Sequence, residues 1–213
     1  MKIINKETPV DSNLNMVSFI VDLPNACTLL GLLSATLGIY FAFTGQVYFA
    51  VIGMVWAVFF DWLDGFIASK LKNRTAKHRE FGAQLDSLVD IVSFGVLPAT
   101  ILLSYSGFNP WFLPGAFSII AACAIRLSYF NIYGLTNGKY YTGLPVDNNG
   151  LIIALAFLLE NQFSQEFFSV GLYILIMITV IFNLSSFQIP KFSKKAIYGI
   201  VAFCIFITAY LGV

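Results

Sequence analysis

Apolar runs long enough to cross a bilayer follow one another along this chain with only short polar breaks between them. The stretches at about 26–44, 47–70, 82–106, 111–133, 147–160, 165–184 and 196–213 carry few charges. A membrane-crossing helix needs about 20 such residues, and within hydrocarbon a helix satisfies its own backbone polar groups. The fifth stretch is short for a full crossing, so it is read as a tilted or partial helix that begins in the Gly143-Leu144-Pro145 turn. Composition closes off a soluble fold, because 58% of the residues are hydrophobic and only 11% charged, against about 25% charged in an ordinary domain. The expected fold is an all-α polytopic membrane protein: a bundle of about six to seven transmembrane helices with a short N-terminal interfacial helix.

The basic residues orient that bundle. Lys2 and Lys6 precede the first run, and Lys70, Lys72, Arg74, Lys77 and Arg79 lie between the second and third. Lys139 follows the fourth, and Lys191, Lys194 and Lys195 precede the seventh. The intervening breaks, Gly45-Gln46, Ser106 to Pro110 and Glu160 to Gln165, contain no Lys or Arg. By the positive-inside rule the N-terminus and the basic loops face the cytoplasm. Residues 1–24 are expected to form a cytoplasmic or interfacial segment, with the helix in Asn15 to Pro24. Residues 25–213 are expected to form one transmembrane domain. Cys27, Cys123 and Cys204 stand far apart in apolar runs and read as small hydrophobes, not as disulfides or metal ligands. His78, the single histidine, reads as a solvated residue of the basic loop.

Against this background four carboxylates stand out: Asp61 and Asp64 near the end of the second run, Asp86 and Asp90 near the start of the third. Ionised acids near a bilayer interior are costly and persist with partners or a task. Helical periodicity puts Asp61, Asp64, Gly65 and Ala68 on one face, and Gly82, Asp86 and Asp90 on one face of the next helix. If the faces meet, the oxygens converge in a cluster suited to a hard cation such as Mg²⁺ or Mn²⁺. The residues with little or no side chain leave room for a ligand against the backbone. Gly65 and Gly82 taken alone would equally serve helix packing. With the basic loops inside, the cluster opens to the cytoplasm at the level of the inner leaflet, where a soluble reactant and a lipid can meet.

The string Asp61-x-x-Asp64-Gly65-x-x-Ala68 followed by Gly82-x-x-x-Asp86-x-x-x-Asp90 resembles the signature of the CDP-alcohol phosphotransferases, integral membrane enzymes of phospholipid synthesis. Asp86 to Ala99, Arg126 to Ile132, Thr142 to Pro145 and Ile189 to Phe192 are similar to blocks of the phosphatidylserine synthases within that family. Three departures stand out. Ser69 occupies a position where the family has Arg, and Lys70 and Lys72 are the candidates for the missing charge. The stretch to Gly82 is longer than usual. Asp147-Asn148-Asn149 replaces small apolar residues.

The resemblance implies transfer of the phosphatidyl group of CDP-diacylglycerol to L-serine, with release of CMP. It implies two divalent ions, Mg²⁺ or Mn²⁺, with Asp61, Asp64 and Asp86 as primary ligands and Asp90 as both a ligand and the catalytic base. Asn25 and Thr28, in the pattern Pro24-Asn25-x-x-Thr28, together with Gly65, Ala68 and Gly82, are the implied nucleotide and CDP-lipid contacts; Asn25 and Thr28 would equally cap the first helix. Arg126 lies alone in its run and suits a phosphate or the acceptor's carboxylate; a structural ion pair with one of the acids is the other reading. A homodimer among membrane lipids is implied, and no nucleic acid. The alternatives are another acceptor within the family, glycerol 3-phosphate or an inositol compound, and an ion-coupled transporter that uses the acids as its pathway.

Overall fold

A computed structural model describes residues 16–71, 74–191 and 196–212. Lys2, Lys6, Asn15, Lys72, Phe192, Lys194 and Lys195 lie outside the described residues. The chain runs through α1 (Met16–Ile20), α2 (Leu23–Phe43), α3 (Val47–Lys70), α4 (Ala76–Ile91), a π-helical turn (Val92–Val96), α5 (Leu97–Tyr105), α6 (Leu113–Tyr133), α7 (Asp147–Phe157), α8 (Gln165–Asn183) and α9 (Ala196–Leu211). Five continuous helical segments are long and apolar enough to cross a membrane: α2, α3, α4 through α5, α6 with its leading turn, and α8. With the shorter apolar α7 and α9 they form an all-α polytopic bundle.

Small residues set the closest contact in that bundle. α2 and α3 are joined by a tight turn at Gly45, where φ is +77°, and they lie backbone to backbone along Gly31, Gly38 and Gly53. A Cβ added at Gly53 would stand 2.8 Å from the Ser34 carbonyl oxygen and 3.0 Å from the Gly38 Cα. Without a hydrophobic drive between helices in lipid, such close backbone approach is a main source of association. Gly53→Ala is therefore expected to cost about 1–3 kcal/mol as an overpacked contact. It should appear as a lower midpoint for thermal unfolding in detergent, and an unchanged midpoint would contradict the close approach.

The third crossing begins earlier than its hydropathy suggests. α4 starts at Ala76, six residues before the expected position 82, because the Thr75 hydroxyl accepts from the His78 backbone N–H at 3.2 Å and caps the helix. His78 is therefore not a loop residue. Its ring packs against Phe19 of α1 at 4.8 Å, and Phe19 also stacks on Phe81 at 4.4 Å. Further along, Pro98 has no N–H for the Phe94 carbonyl and crowds it, and the helix widens into the π turn just before it. The side chain of Asn149 donates to that Phe94 oxygen at 3.3 Å and accepts from Asn183 at 3.1 Å. A buried polar chain thus ties α7 and α8 to the π turn one helical turn beyond Asp90.

α7 has 11 residues, ~16 Å at 1.5 Å per residue, about half a bilayer core. Its start is held inside the bundle by the turn before it. Gly143 has φ +74°, and a Cβ there would lie 2.6 Å from the Asn183 carbonyl oxygen. β1 (Tyr140–Thr142) pairs antiparallel with β2 (Gln188–Pro190), closing the chain between α6 and α7 against the segment after α8. The three cysteines are free and buried, each with its sulfur near a backbone carbonyl.

Candidate metal centre

Asp61 lies nine residues before the end of α3 and Asp86 ten residues after the start of α4. At 1.5 Å per residue these are ~14 and ~15 Å along helices separated by only residues 71–75. The acids therefore meet at similar depth. One carboxylate oxygen from each of Asp61, Asp86 and Asp90 lies within 4.8 Å of the other two. Three carboxylates that close repel one another unless a proton or cation intervenes. Behind them a void of about 10 Å³ is lined by the same three acids and by Ser93, whose buried hydroxyl has no hydrogen-bond partner among the described residues. An all-oxygen donor set with an unsatisfied hydroxyl beside it fits a hard divalent cation.

Asp64 stands one helical turn from Asp61, and its carboxylate accepts a hydrogen bond from Thr28 of α2. The Thr28 hydroxyl also lies 3.1 Å from the Pro24 carbonyl oxygen. It has one proton to give, and the carboxylate is the stronger acceptor. Thr28 thus orients an acid. Asn25 is fully buried; its amide donates to the Phe19 carbonyl at 2.9 Å and its oxygen accepts from Arg74 at 3.2 Å. Arg74 also pairs with Asp22, clamping the start of α2 to the start of α4. A Cβ on Gly82 would fall 2.7 Å from the Asn25 oxygen and 2.9 Å from an Arg74 nitrogen. Gly82 therefore admits this clamp, whereas Gly65 has no atom within 4 Å of an added Cβ and lines open space. Ala68 is half-buried and not among the residues lining the main cavity.

That cavity holds about 310 Å³, in the range of small-ligand sites. All four acids, Gly65, Ser69 and Arg126 contribute to its wall. Ser69 turns its hydroxyl back to the Phe66 carbonyl at 2.7 Å. Lys70 lies over the Phe66 ring at 4.1 Å and lines a separate, neighbouring cavity. Arg126 is only 5% exposed, its Nε has no hydrogen-bond partner, and among the described residues it forms no ion pair. Its guanidinium lies 5.6 Å from the Phe130 ring centroid.

Three further residues reach the cavity: Asp147, which stands out in the sequence as a departure from the family pattern but not as a site residue, and Tyr141 and Lys191. Asp147 opens α7, and its carboxylate accepts from the Trp62 indole N–H at 2.7 Å. Lys191 and Tyr141 line the same space. Burial first, then the nearby Asp147 carboxylate, pushes the Tyr141 phenol up to about 12, so it remains a hydroxyl donor at neutral pH. One signal was available for Asp147: it is an acid opening an apolar run, the criterion that singled out the other four.

The family model for CDP-alcohol phosphatidyltransferase matches residues 21–185. The chain is 31% identical over 179 residues to the CDP-diacylglycerol–serine O-phosphatidyltransferase of Helicobacter pylori strain J99, covering 80% of this chain and 73% of that protein. It is 35% identical to the archaetidylserine synthase of Methanothermobacter thermautotrophicus, with 83% and 72% covered. It is 31% identical to a CDP-diacylglycerol–serine O-phosphatidyltransferase of Methanocaldococcus jannaschii, with 86% and 81% covered. These matches favour a transferase over an ion-coupled transporter.

Proposed function

Because this chain belongs to the CDP-alcohol phosphatidyltransferase family, we propose that it moves the phosphatidyl group of CDP-diacylglycerol to L-serine and releases CMP. The observation that carries the reading is the convergence of Asp61, Asp86 and Asp90, with Asp64 beside them, on one cavity inside a membrane bundle. The names of the three relatives all contain serine, joined to a phosphatidyl or an archaetidyl group. Asp61, Asp64 and Asp86 would hold two divalent ions, Mg²⁺ or Mn²⁺, with Asp90 reaching the second. When bound, such ions neutralise a pyrophosphate and stabilise the charge developing on a leaving phosphate.

The chain's own residues then have distinct tasks. Thr28 holds Asp64 in place. Gly65 keeps the α3 wall open for the nucleotide, while Asn25 and Gly82 fix the α2–α4 junction behind it. Ala68 lies on the same α3 face as Gly65 but outside the cavity wall. Asp90 takes the proton of the acceptor hydroxyl as its oxygen bonds to the phosphatidyl phosphorus. The bond to the CMP oxygen breaks and CMP carries away the electron pair. Arg126 receives a carboxylate or phosphate of the substrates. Lys70 and Lys191 add positive charge near the mouth.

The Lys and Arg of the alternate breaks support a reading in which this mouth faces the cytoplasm. The reading includes a homodimer, for which Phe117, Ile125 and Ile132 of α6 supply an exposed apolar face; cross-linking in native membranes that yields only monomer would contradict it. The acceptor is tested by giving purified protein CDP-diacylglycerol, a divalent ion and, separately, L-serine, glycerol 3-phosphate, inositol or inositol phosphate. CMP release with serine is the expected result. Release with another acceptor alone would keep the family and overturn serine.

A further inference from the structure

We infer that Asp147 binds the ammonium group of the acceptor while Arg126 binds its carboxylate, so that the two residues together select a zwitterion. The inference rests on the serine reading above and adds to it the residues that discriminate among acceptors.

Both residues line the same cavity, from different helices. Asp147 is held by neutral donors, Trp62 at 2.7 Å and the Asn148 amide at 3.3 Å, which fix its position without cancelling its charge. Among the described residues no ion pair forms to Asp147, and none forms to Arg126, whose Nε is buried and unpartnered. Asp147 is half-buried, whereas Arg126 is a buried charge, which is costly without a partner, and an orphaned buried donor in a native fold calls for a ligand or another cause. Opposite charges that feel each other but close into no ion pair among the described residues therefore face one space of about 310 Å³. A ligand carrying both signs compensates both.

Other acceptor chemistries fit less well. A phosphorylated alcohol would satisfy Arg126 and be repelled by Asp147. A neutral polyol would leave both charges uncompensated. An α-amino acid bearing a hydroxyl places its ammonium on Asp147, its carboxylate on Arg126 and its hydroxyl toward Asp90. The three oxygens that lie together come from Asp61, Asp86 and Asp90, with Asp147 outside that group.

The test compares L-serine with 3-hydroxypropionate, which is serine without its amine, by CMP release from the full-length protein at saturating CDP-diacylglycerol. Asp147→Asn keeps the shape and the Trp62 hydrogen bond but removes the charge. The preference for serine, as a ratio of kcat/KM values, should fall about 10- to 100-fold, the effect of a lost hydrogen bond to a charged group. Asp147→Glu, which restores the charge, should recover part of that preference. Binding of CDP-diacylglycerol should persist in both variants, showing that they are folded. Equal loss for both acceptors, or no change in preference, would overturn the assignment of Asp147. Loss of donor binding in Asp147→Asn, with Asp147→Glu still binding, would place Asp147 among the metal ligands instead. A wild-type protein that accepts only a non-amino alcohol would overturn the serine reading, an outcome separate from any behaviour of the variants.

Discussion

Replacing Asp61, Asp64 or Asp86 by Asn is expected to abolish CMP release and to weaken CDP-diacylglycerol binding in the same variant. The coupling follows from the chemistry of the donor. A pyrophosphate brings clustered negative charge into a cavity already walled by Asp61, Asp64, Asp86, Asp90 and Asp147. Only bound cations can reconcile the two. An amide keeps one neutral acceptor oxygen and loses the charge that holds a hard cation. The same lost ligand removes ground-state attraction for the donor and stabilisation of the departing CMP. Metal charge stabilisation is worth several kcal/mol, which at 1.36 kcal/mol per tenfold corresponds to a rate loss of ~10³ or more. Asp64→Asn has a second consequence, because Thr28 would then donate to an amide oxygen in place of a carboxylate. Donor binding measured by calorimetry or by competition with labelled CDP-lipid checks the pairing. A variant of these three that retains wild-type donor affinity would remove its residue from the ligand set.

Asp90→Asn is expected to behave differently: turnover lost, donor binding largely kept. Asp90 lies one turn deeper along α4 than Asp86, at the edge of the π turn. A base matters when the hydroxyl gives up its proton, and losing general-base help costs ~10²–10⁴ in rate. The amide cannot take that proton. If donor affinity in Asp90→Asn falls as far as in Asp61→Asn, Asp90 is chiefly a metal ligand. The base must then be another group near the acceptor. Steady-state turnover and donor affinity measured on the same preparation separate the two outcomes.

The four acids were legible in the sequence because hydrocarbon tolerates so little charge that each carboxylate in an apolar run must have a purpose. The bundle was legible for the same reason. What escaped notice depends on contacts between distant positions. Arg74 is one of several basic residues in its stretch, and only its contacts with Asp22 and Asn25 distinguish it. Asp147 stands out in the sequence as an acid opening an apolar run, but its contact with Trp62 spans 85 positions, and its place beside Arg126 in one wall is visible only in the fold. Hydropathy marks where the third run becomes apolar, near position 82, whereas Thr75 marks where α4 begins. β1 and β2 are three residues each and pair through a register that no local pattern announces. Thr28, a candidate nucleotide contact by its pattern, is in the fold a partner of Asp64, a contact across 36 positions.

The central claim is that the carboxylates of α3 and α4 hold divalent cations that make CDP-diacylglycerol a phosphatidyl donor to serine. Its most direct test uses purified protein stripped with chelator, CDP-diacylglycerol in detergent micelles and labelled L-serine, with Mg²⁺ or Mn²⁺ then restored. The account predicts no product in chelator, and labelled lipid and CMP in equal amounts once a divalent ion is returned. Undiminished product in chelator, or no CMP and no labelled lipid with either ion, would contradict it.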